Sequence, residues 1–281
     1  MYIQRISGAG HYTVARTRGS SAAQVNVYVD GVLMNLNGDS AVNLSAIPVD
    51  NVERIEVYRG YVPARFSGAP LGGAINIVTK KPTKGTGHIT QGVKSYGGYS
   101  STYEYNTPLG SGSLMATYAR DIWQGDFPYV YTKYGANTEY NNKKYYRRSN
   151  GYQNNNAMLK WQDDNWTVKA VYKKMHEQLP ANLTSINSHT GTSSQGTWWE
   201  EQHGYTASSQ DIDYKEFSVG QRGTSGNIDW GWRTDYLHSK KTYRNTGAYK
   251  IIQDFAWKTE DDFLPGRLWS EYVSKKNGTA I

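Results

Sequence analysis

Between Asn165 and Lys173 the chain alternates strictly. Trp166, Val168, Ala170 and Tyr172 fall on one side of an extended strand, and Thr167, Lys169 and Lys173 on the other. Farther on, Ile228, Trp230, Trp232 and Tyr236 make the same kind of stripe against Asp229, Arg233 and Asp235. A strand with lysine, arginine and aspartate on one face cannot bury that face in a dry sandwich core without a large desolvation cost. A barrel wall has no such difficulty, because one face meets lipid and the other a wet interior.

Composition points the same way. Hydrophobic residues make up 37% of the 281 positions and mean hydropathy is -0.73, low for a packed globular protein of this length. Yet aromatics reach 14%, with 24 Tyr and 9 Trp, too rich for a disordered chain. No stretch approaches the roughly 18 apolar residues of a membrane helix. Cysteine is absent, which excludes disulfides, thiolate metal sites and cysteine nucleophiles. The net charge of +7 is spread out, with its densest clusters at Lys143-Lys144, Arg147-Arg148 and Lys240-Lys241 in polar connecting stretches. That pattern is solvated loop charge able to attract anionic lipopolysaccharide, and not the concentrated footprint of a nucleic-acid binder. Met1-Tyr-Ile-Gln-Arg-Ile lacks the charged-then-apolar pattern of a secretion signal, so a truncated start is expected.

The chain changes character near residue 85. Every Trp lies at or beyond Trp123, and 19 of the 24 Tyr lie beyond residue 85. The stretch Lys80-Lys-Pro-Thr-Lys-Gly85 is placed as the boundary, since Pro stops a strand and Gly loosens the chain. Residues 1–85 read as a small α+β unit. Val25, Val27 and Val29 share a face, and Asp30-Gly31 supplies the positive φ angles of a hairpin tip. Asp50 and Glu53 have capping-box spacing, predicting a short helix from Asp50. Strands follow at Ile55–Tyr58 and Ala74–Thr79.

Residues 86–281 read as nine antiparallel strands, at 88–96, 99–107, 112–121, 156–163, 165–176, 212–222, 227–240, 249–259 and 266–275. From the second on, the connections run short at 108–111, long at 122–155, short at 164, long at 177–211, short at 223–226, intermediate at 241–248 and short at 260–265. Outer-membrane barrels have short turns on one side and long loops on the other, which gives this rhythm.

Six blocks of the first unit, in order and spacing, resemble the plug signature of TonB-dependent outer-membrane receptors. They are Arg18-Gly19, Val27-Tyr-Val-Asp-Gly-Val32, Leu44-Ser-Ala-Ile-Pro48, Val52-Glu-Arg-Ile-Glu-Val-Tyr-Arg-Gly60, Ala64-Arg-Phe66 and Leu71-Gly-Gly-Ala-Ile-Asn-Ile-Val-Thr-Lys80. Tyr61-Val-Pro63 departs from the family, which usually has Pro directly after Arg-Gly. The likeness by motif covers residues 15–82, and the remainder only by architecture.

The resemblance implies a plug followed by an incomplete transmembrane β-barrel of about nine strands, in a bacterial outer membrane. The intact protein would take up a scarce nutrient, a small metal chelate of ferric siderophore, haem or cobalamin type, pulled open by a TonB-type complex. It implies structural or gating roles for Arg18, Gly19, Asp30, Gly31, Glu53, Arg54, Glu56, Arg59, Gly60, Gly72 and Gly73. Glu53, Arg54, Glu56 and Arg59 are expected to pair with the inner barrel wall. Ligand contact is expected at Asn35, Asn37, Tyr61, Arg65, Trp198 and Trp199, on plug loops and outer loops.

His176, His189 and His203 match no metal-ligand spacing, and no cofactor is expected. No nucleophile–base, phosphate-loop or paired-carboxylate motif stands out. An adhesion module using loops 122–155 and 177–211, and a secreted carbohydrate-degrading enzyme, stand as alternatives. An odd count of nine strands would leave the last residue on the long-loop side.

Overall fold

The computed structural model describes residues 2–5, 10–17, 19–35, 41–59, 62–63, 66, 71–130, 142, 144–179, 208–226, 228–245, 255–263 and 266–272, the last two stretches by backbone alone. A short hairpin comes first, β1 (Tyr2–Arg5) against β2 (Thr13–Arg16). A four-stranded sheet follows, built from β3 (Asn26–Val29), β4 (Val32–Leu33), β5 (Val52–Tyr58) and β6 (Ala74–Thr79) in the order β4-β3-β6-β5. β3 runs parallel to β6, whereas β4 and β5 are antiparallel to their neighbours, so the sheet is mixed.

The valine alternation has the expected consequence. Val25, Val27 and Val29 pack with Ile75 and Ile77 on one face, over Leu44, Ile47 and Val52. On the other face Tyr28 and Tyr58 lean on Phe66, with ring centroids 4.9 and 5.2 Å apart. Asp30 and Gly31 join β3 to β4 with φ of 50° and 81°, the two positive angles of a twisted hairpin turn.

The predicted helix at Asp50 is displaced and shortened. A single 3-10 turn spans Val49–Asn51, and Glu53 already lies in β5. The Asp50 carboxylate accepts a bond from Thr102 Oγ1 at 2.5 Å instead of capping a helix. A reciprocal capping box forms elsewhere, between Ser21 and Gln24 around the turn Ala22–Gln24. With three-residue helical turns among the described residues, this unit is β-rich.

The larger sheet contains β7 (Thr86–Lys94), β8 (Gly98–Leu109), β9 (Gly112–Trp123), β12 (Tyr152–Gln162), β13 (Trp166–Leu179), β14 (Ser208–Ser225) and β15 (Ile228–Asn245), each antiparallel to the next. Between β9 and β12, inside a stretch read from sequence as loop, lies the hairpin β10 (Phe127–Val130) and β11 (Lys144–Arg147). The charge clusters are therefore partly strand: Lys144 and Arg147 belong to β11, and Lys240 and Lys241 to β15.

Nine strands make up this sheet among the described residues, as expected, but the last two do not pair with each other in the recorded register. β16 (Phe255–Phe263) pairs with the upper half of β15, from Asn245↔Phe255 to Leu237↔Phe263. β17 (Gly266–Tyr272) pairs with the lower half, from Thr234↔Gly266 to Ile228↔Tyr272. Both run the same way along one edge, so among the described residues the nine strands fill eight positions across the wall. Residue 272 consequently lies at the short-turn end of the sheet, opposite to the end expected from an odd count.

One face of the wall is apolar and open. Tyr105, Leu159 and Phe217 are at least half exposed on it, and Trp166 meets Trp232 edge-on at 5.6 Å. The opposite face carries Lys160, Lys169, Glu216 and Asp235, all buried. Those charged groups face the small sheet, and the contact between the two defines the candidate site.

Candidate functional site

The tip of the β3–β4 hairpin reaches the wall near its short-turn end. There the Asp30 carboxylate accepts the main-chain N–H and the hydroxyl of Thr79, at 2.8 and 2.6 Å. Lys169 Nζ donates to Asp30 Oδ2 at 3.1 Å, and Lys160 Nζ stands 3.8 Å from the same oxygen. Lys160 also donates to Thr79 Oγ1 at 2.8 Å and reaches the carbonyls of Thr79 and Lys80. From β15, Arg233 donates to the Asp30 carbonyl. One aspartate thus ties three wall strands to the hairpin.

Behind these contacts the wall supplies its own counter-charges. Glu216 takes Lys169 Nζ at 2.8 Å, Tyr214 OH at 2.8 Å and Ser218 Oγ at 2.9 Å. Asp235 takes Arg233 Nε at 2.5 Å. Val32, next to the tip, packs on Tyr214 and Leu237, which gives the polar clasp an apolar margin. Burial pushes the Asp30 carboxyl up, but Lys169, Lys160 and the Thr79 bonds outweigh it and hold it well below the usual carboxylate range.

A second fastening lies toward the long-loop end. His11, only 1% exposed, meets Glu177 Oε1 through Nδ1 at 2.6 Å and the Asn150 carbonyl through Nε2 at 3.0 Å. Its ring sits edge-on to Trp123 and Tyr152. Farther along the wall, on β8, Glu104 pairs with Lys80 at 3.0 Å and Asn106 accepts the Thr83 N–H.

The predicted site residues divide sharply. Asp30 and Gly31 sit at the centre of the clasp. Among the described residues, Glu53, Arg54 and Glu56 do not pair with the wall: Arg54 bridges Glu53 at 3.0 Å and Glu56 at 2.8 Å along the outer strand of the small sheet. β5 is that sheet's edge, so its charges can neutralise one another in solvent, at little energetic consequence. Burial raises the Glu56 carboxyl, yet bonds from Asn76, Tyr58 and Arg54 bring it below its ordinary value. Arg59 is exposed at the end of β5.

Gly72 donates its N–H to the Gln24 carbonyl at 2.8 Å and its carbonyl accepts from Thr17. Gly73 adopts φ of 95° and Gly19 φ of 75°. Asn35 is occupied within the hairpin, accepting from Val27 N–H at 2.8 Å and donating to the Val25 carbonyl at 3.2 Å. His176 pairs with Asp211 at 2.8 Å. Arg18, Asn37, Gly60, Tyr61, Arg65, His189, Trp198, Trp199 and His203 lie outside the described residues.

Sequence reasoning missed Lys160, Lys169 and Arg233 as partners of Asp30, and Glu216 as the counter-charge behind Lys169. Each alternates correctly with lipid-side neighbours, but an inward charge on a wet wall gives no local sign of its partner. A lysine framed by Val168 and Ala170 in a long strand was the available hint.

A family model described as the TonB-dependent Receptor Plug Domain matches residues 3–74. The fold resembles the ferric enterobactin receptor of Pseudomonas aeruginosa, at 16% identity and a TM-score of 0.60, over 96% of this chain and 42% of that one. It also resembles the copper transporter OprC, at 12% identity and a TM-score of 0.66, over 98% and 39%. A third is the ferric-catecholate import receptor Fiu of E. coli, at 13% identity and a TM-score of 0.62, over 94% and 41%. The chain spans about two fifths of the length of each. At these identities the likeness is one of fold.

Proposed function

We propose, from the match of residues 3–74 to the plug-domain model of TonB-dependent receptors, that the protein takes part in energised uptake of a scarce nutrient across a bacterial outer membrane. Residues 1–85 are the plug and residues 86–281 wall of the barrel that surrounds it. The cargo is a small metal chelate of ferric siderophore, haem or cobalamin type. A TonB-type inner-membrane complex pulls the plug, and lipid with lipopolysaccharide surrounds the apolar outer face.

The observation that carries this reading is the Asp30 clasp. A plug that must stay shut against the wall and yet be displaced cannot be joined to it by a continuous apolar core, which would have to be torn apart over its whole area. Asp30, Lys160, Lys169 and Arg233 make a local polar fastening whose groups can exchange with water when strain is applied. Short wall turns at 110–111 and 163–165 then face the periplasm, and the strand ends at Trp123, Tyr152, Leu179 and Ser208 face outward. Loop residues including Tyr61, Arg65, Trp198 and Trp199 remain proposed cargo contacts.

The test is uptake by cells that carry the full-length receptor, given radiolabelled ferric chelates, haem and cobalamin. Accumulation of at least one cargo, abolished when the TonB-type complex is deleted or the proton gradient collapsed, is the expected result. Equal accumulation with and without the receptor for all three classes would reject uptake as the function.

A further inference from the structure

Beside the clasp, between the small sheet and the wall, lies a cavity of about 390 Å³. Six cations line it: Arg54, Lys81, Lys160, Lys169, Arg222 and Arg233. Asp30 and Glu56 are the carboxylates of the lining, and counting Glu216 and Asp235 behind Lys169 and Arg233 still leaves the cations in excess. A basic concavity of this size suits an anionic group, which it would attract from solution and hold by charge-assisted bonds.

Lys160 gives the cavity its character. It is 5% exposed, and Asp30 is its only carboxylate within 4 Å among the described residues. Every atom it bonds belongs to the plug: Thr79 Oγ1, the Thr79 carbonyl and the Lys80 carbonyl. Arg233 likewise spends one of its donors on the Asp30 carbonyl. When the hairpin moves away, Lys160 loses its nearby carboxylate and keeps only the neutral oxygens of Thr79 and Lys80, and Lys169 keeps Glu216 but loses Asp30. A buried ammonium left in that state is costly, and an arriving anion offsets the cost.

We infer that Lys160, Lys169 and Arg233 form an anion-binding station on the wall, occupied by the plug's own Asp30 at rest and by an anionic group of the cargo once the hairpin is displaced. The ligand class is a carboxylate, catecholate or phosphate oxygen presented by a molecule or arm that fits about 390 Å³. Asp30 is then both a fastening and a competitor, so cargo and hairpin exclude each other from the same cations. This rests on the uptake reading for its biological meaning, but the site itself is testable without transport.

The experiment is calorimetric titration of citrate into the full-length receptor in detergent at low ionic strength. In the wild type Asp30 competes and citrate binds weakly. Asp30→Asn removes the competitor's charge while keeping its shape, and roughly tenfold tighter citrate binding is expected. Adding Lys160→Met to Asp30→Asn should return affinity to the wild-type level or below, with the salt dependence reduced. Should Asp30→Asn fail to fold by heat-modifiable gel mobility, Lys160→Met alone is read, and it should abolish the residual binding of the wild type. Equal citrate affinity in wild type and Asp30→Asn, or binding that survives loss of Lys160, overturns the station. Neither result bears on whether the receptor accumulates cargo, which is read separately.

Discussion

The Lys169 ammonium on the wall lies 3.1 Å from the Asp30 carboxylate at the plug hairpin tip, across 139 positions of sequence. Lys169 is 2% exposed in its side chain and bonded on its far side to Glu216. The pair therefore couples the two parts of the molecule at a point where water is scarce, so its loss is felt by both.

Replacing Asp30 with Ala should loosen the hairpin without unfolding the wall. Breaking a buried ion pair from one side typically costs about 3–5 kcal/mol, and here Glu216 retains part of the compensation for Lys169. Local loss of roughly 2–4 kcal/mol is expected on that basis. Hydrogen exchange should quicken in residues 26–33 and 74–79 and stay unchanged in β12 to β14. Unaltered protection of the hairpin would show that the clasp contributes nothing to closure.

The clasp should withstand mild acid. The folded Asp30 carboxyl titrates below its ordinary value of 3.8, held there against burial by Lys169, Lys160 and Thr79. A depressed carboxyl stabilises the folded state fully above about pH 4 and loses that contribution as pH falls through the lowered value. Hairpin protection should therefore be flat between about pH 8 and 5, after correction for intrinsic exchange, and should decline only below about pH 4. A midpoint near pH 6 would assign control of the hairpin to another group.

Two glycines with similar backbone angles should respond differently to alanine. Gly19 has φ of 75° with open space where a Cβ would go, so Gly19→Ala should cost about 1–2 kcal/mol for the left-handed backbone alone. At Gly73, φ is 95° and a Cβ would stand 2.4 Å from the Tyr58 carbonyl oxygen, an atom fixed in the β5–β6 ladder. Gly73→Ala should cost clearly more and open that ladder, visible as faster exchange at 52–58. Equal effects would mean the close approach is relieved without consequence.

Much of this was legible from residues and some was not. Period-two alternation exposes a strand wherever one face meets lipid, which is why Trp166–Tyr172 and Ile228–Tyr236 read correctly. The Asp30-Gly31 turn was legible because positive φ at two successive positions admits few residues. The β10–β11 hairpin was hidden because Phe127-Pro-Tyr-Val has no clean alternation. The pairing of β16 and β17 along one edge was hidden because alternation within a strand does not report which strand it pairs with. The partners of Asp30 were hidden for a deeper reason. A buried ion pair between distant segments leaves no periodicity, so the charged run Glu53-Arg-Ile-Glu56 attracted the assignment while a single aspartate in a turn formed the contact.

The outward face should behave as a lipid surface. Leu159 is 53% exposed and flanked in the ladder by Ala116 and Ala170. In a bilayer, Leu159→Arg should cost about 2–4 kcal/mol near the midplane, whereas on a water-facing strand the change is close to neutral. Urea refolding of the full-length receptor into liposomes distinguishes the two. No difference from wild type would contradict a lipid-facing wall.

The central claim is that the hairpin must leave the wall for cargo to pass. Val32 packs directly on Leu237, and the chain has no cysteine of its own. The decisive measurement is energised cargo uptake by the full-length receptor carrying Val32→Cys and Leu237→Cys, before and after reduction. The account predicts that the oxidised, cross-linked receptor binds cargo but does not import it, and that reduction restores import to the level of the single-cysteine controls. Import at full rate through the verified cross-link would contradict it.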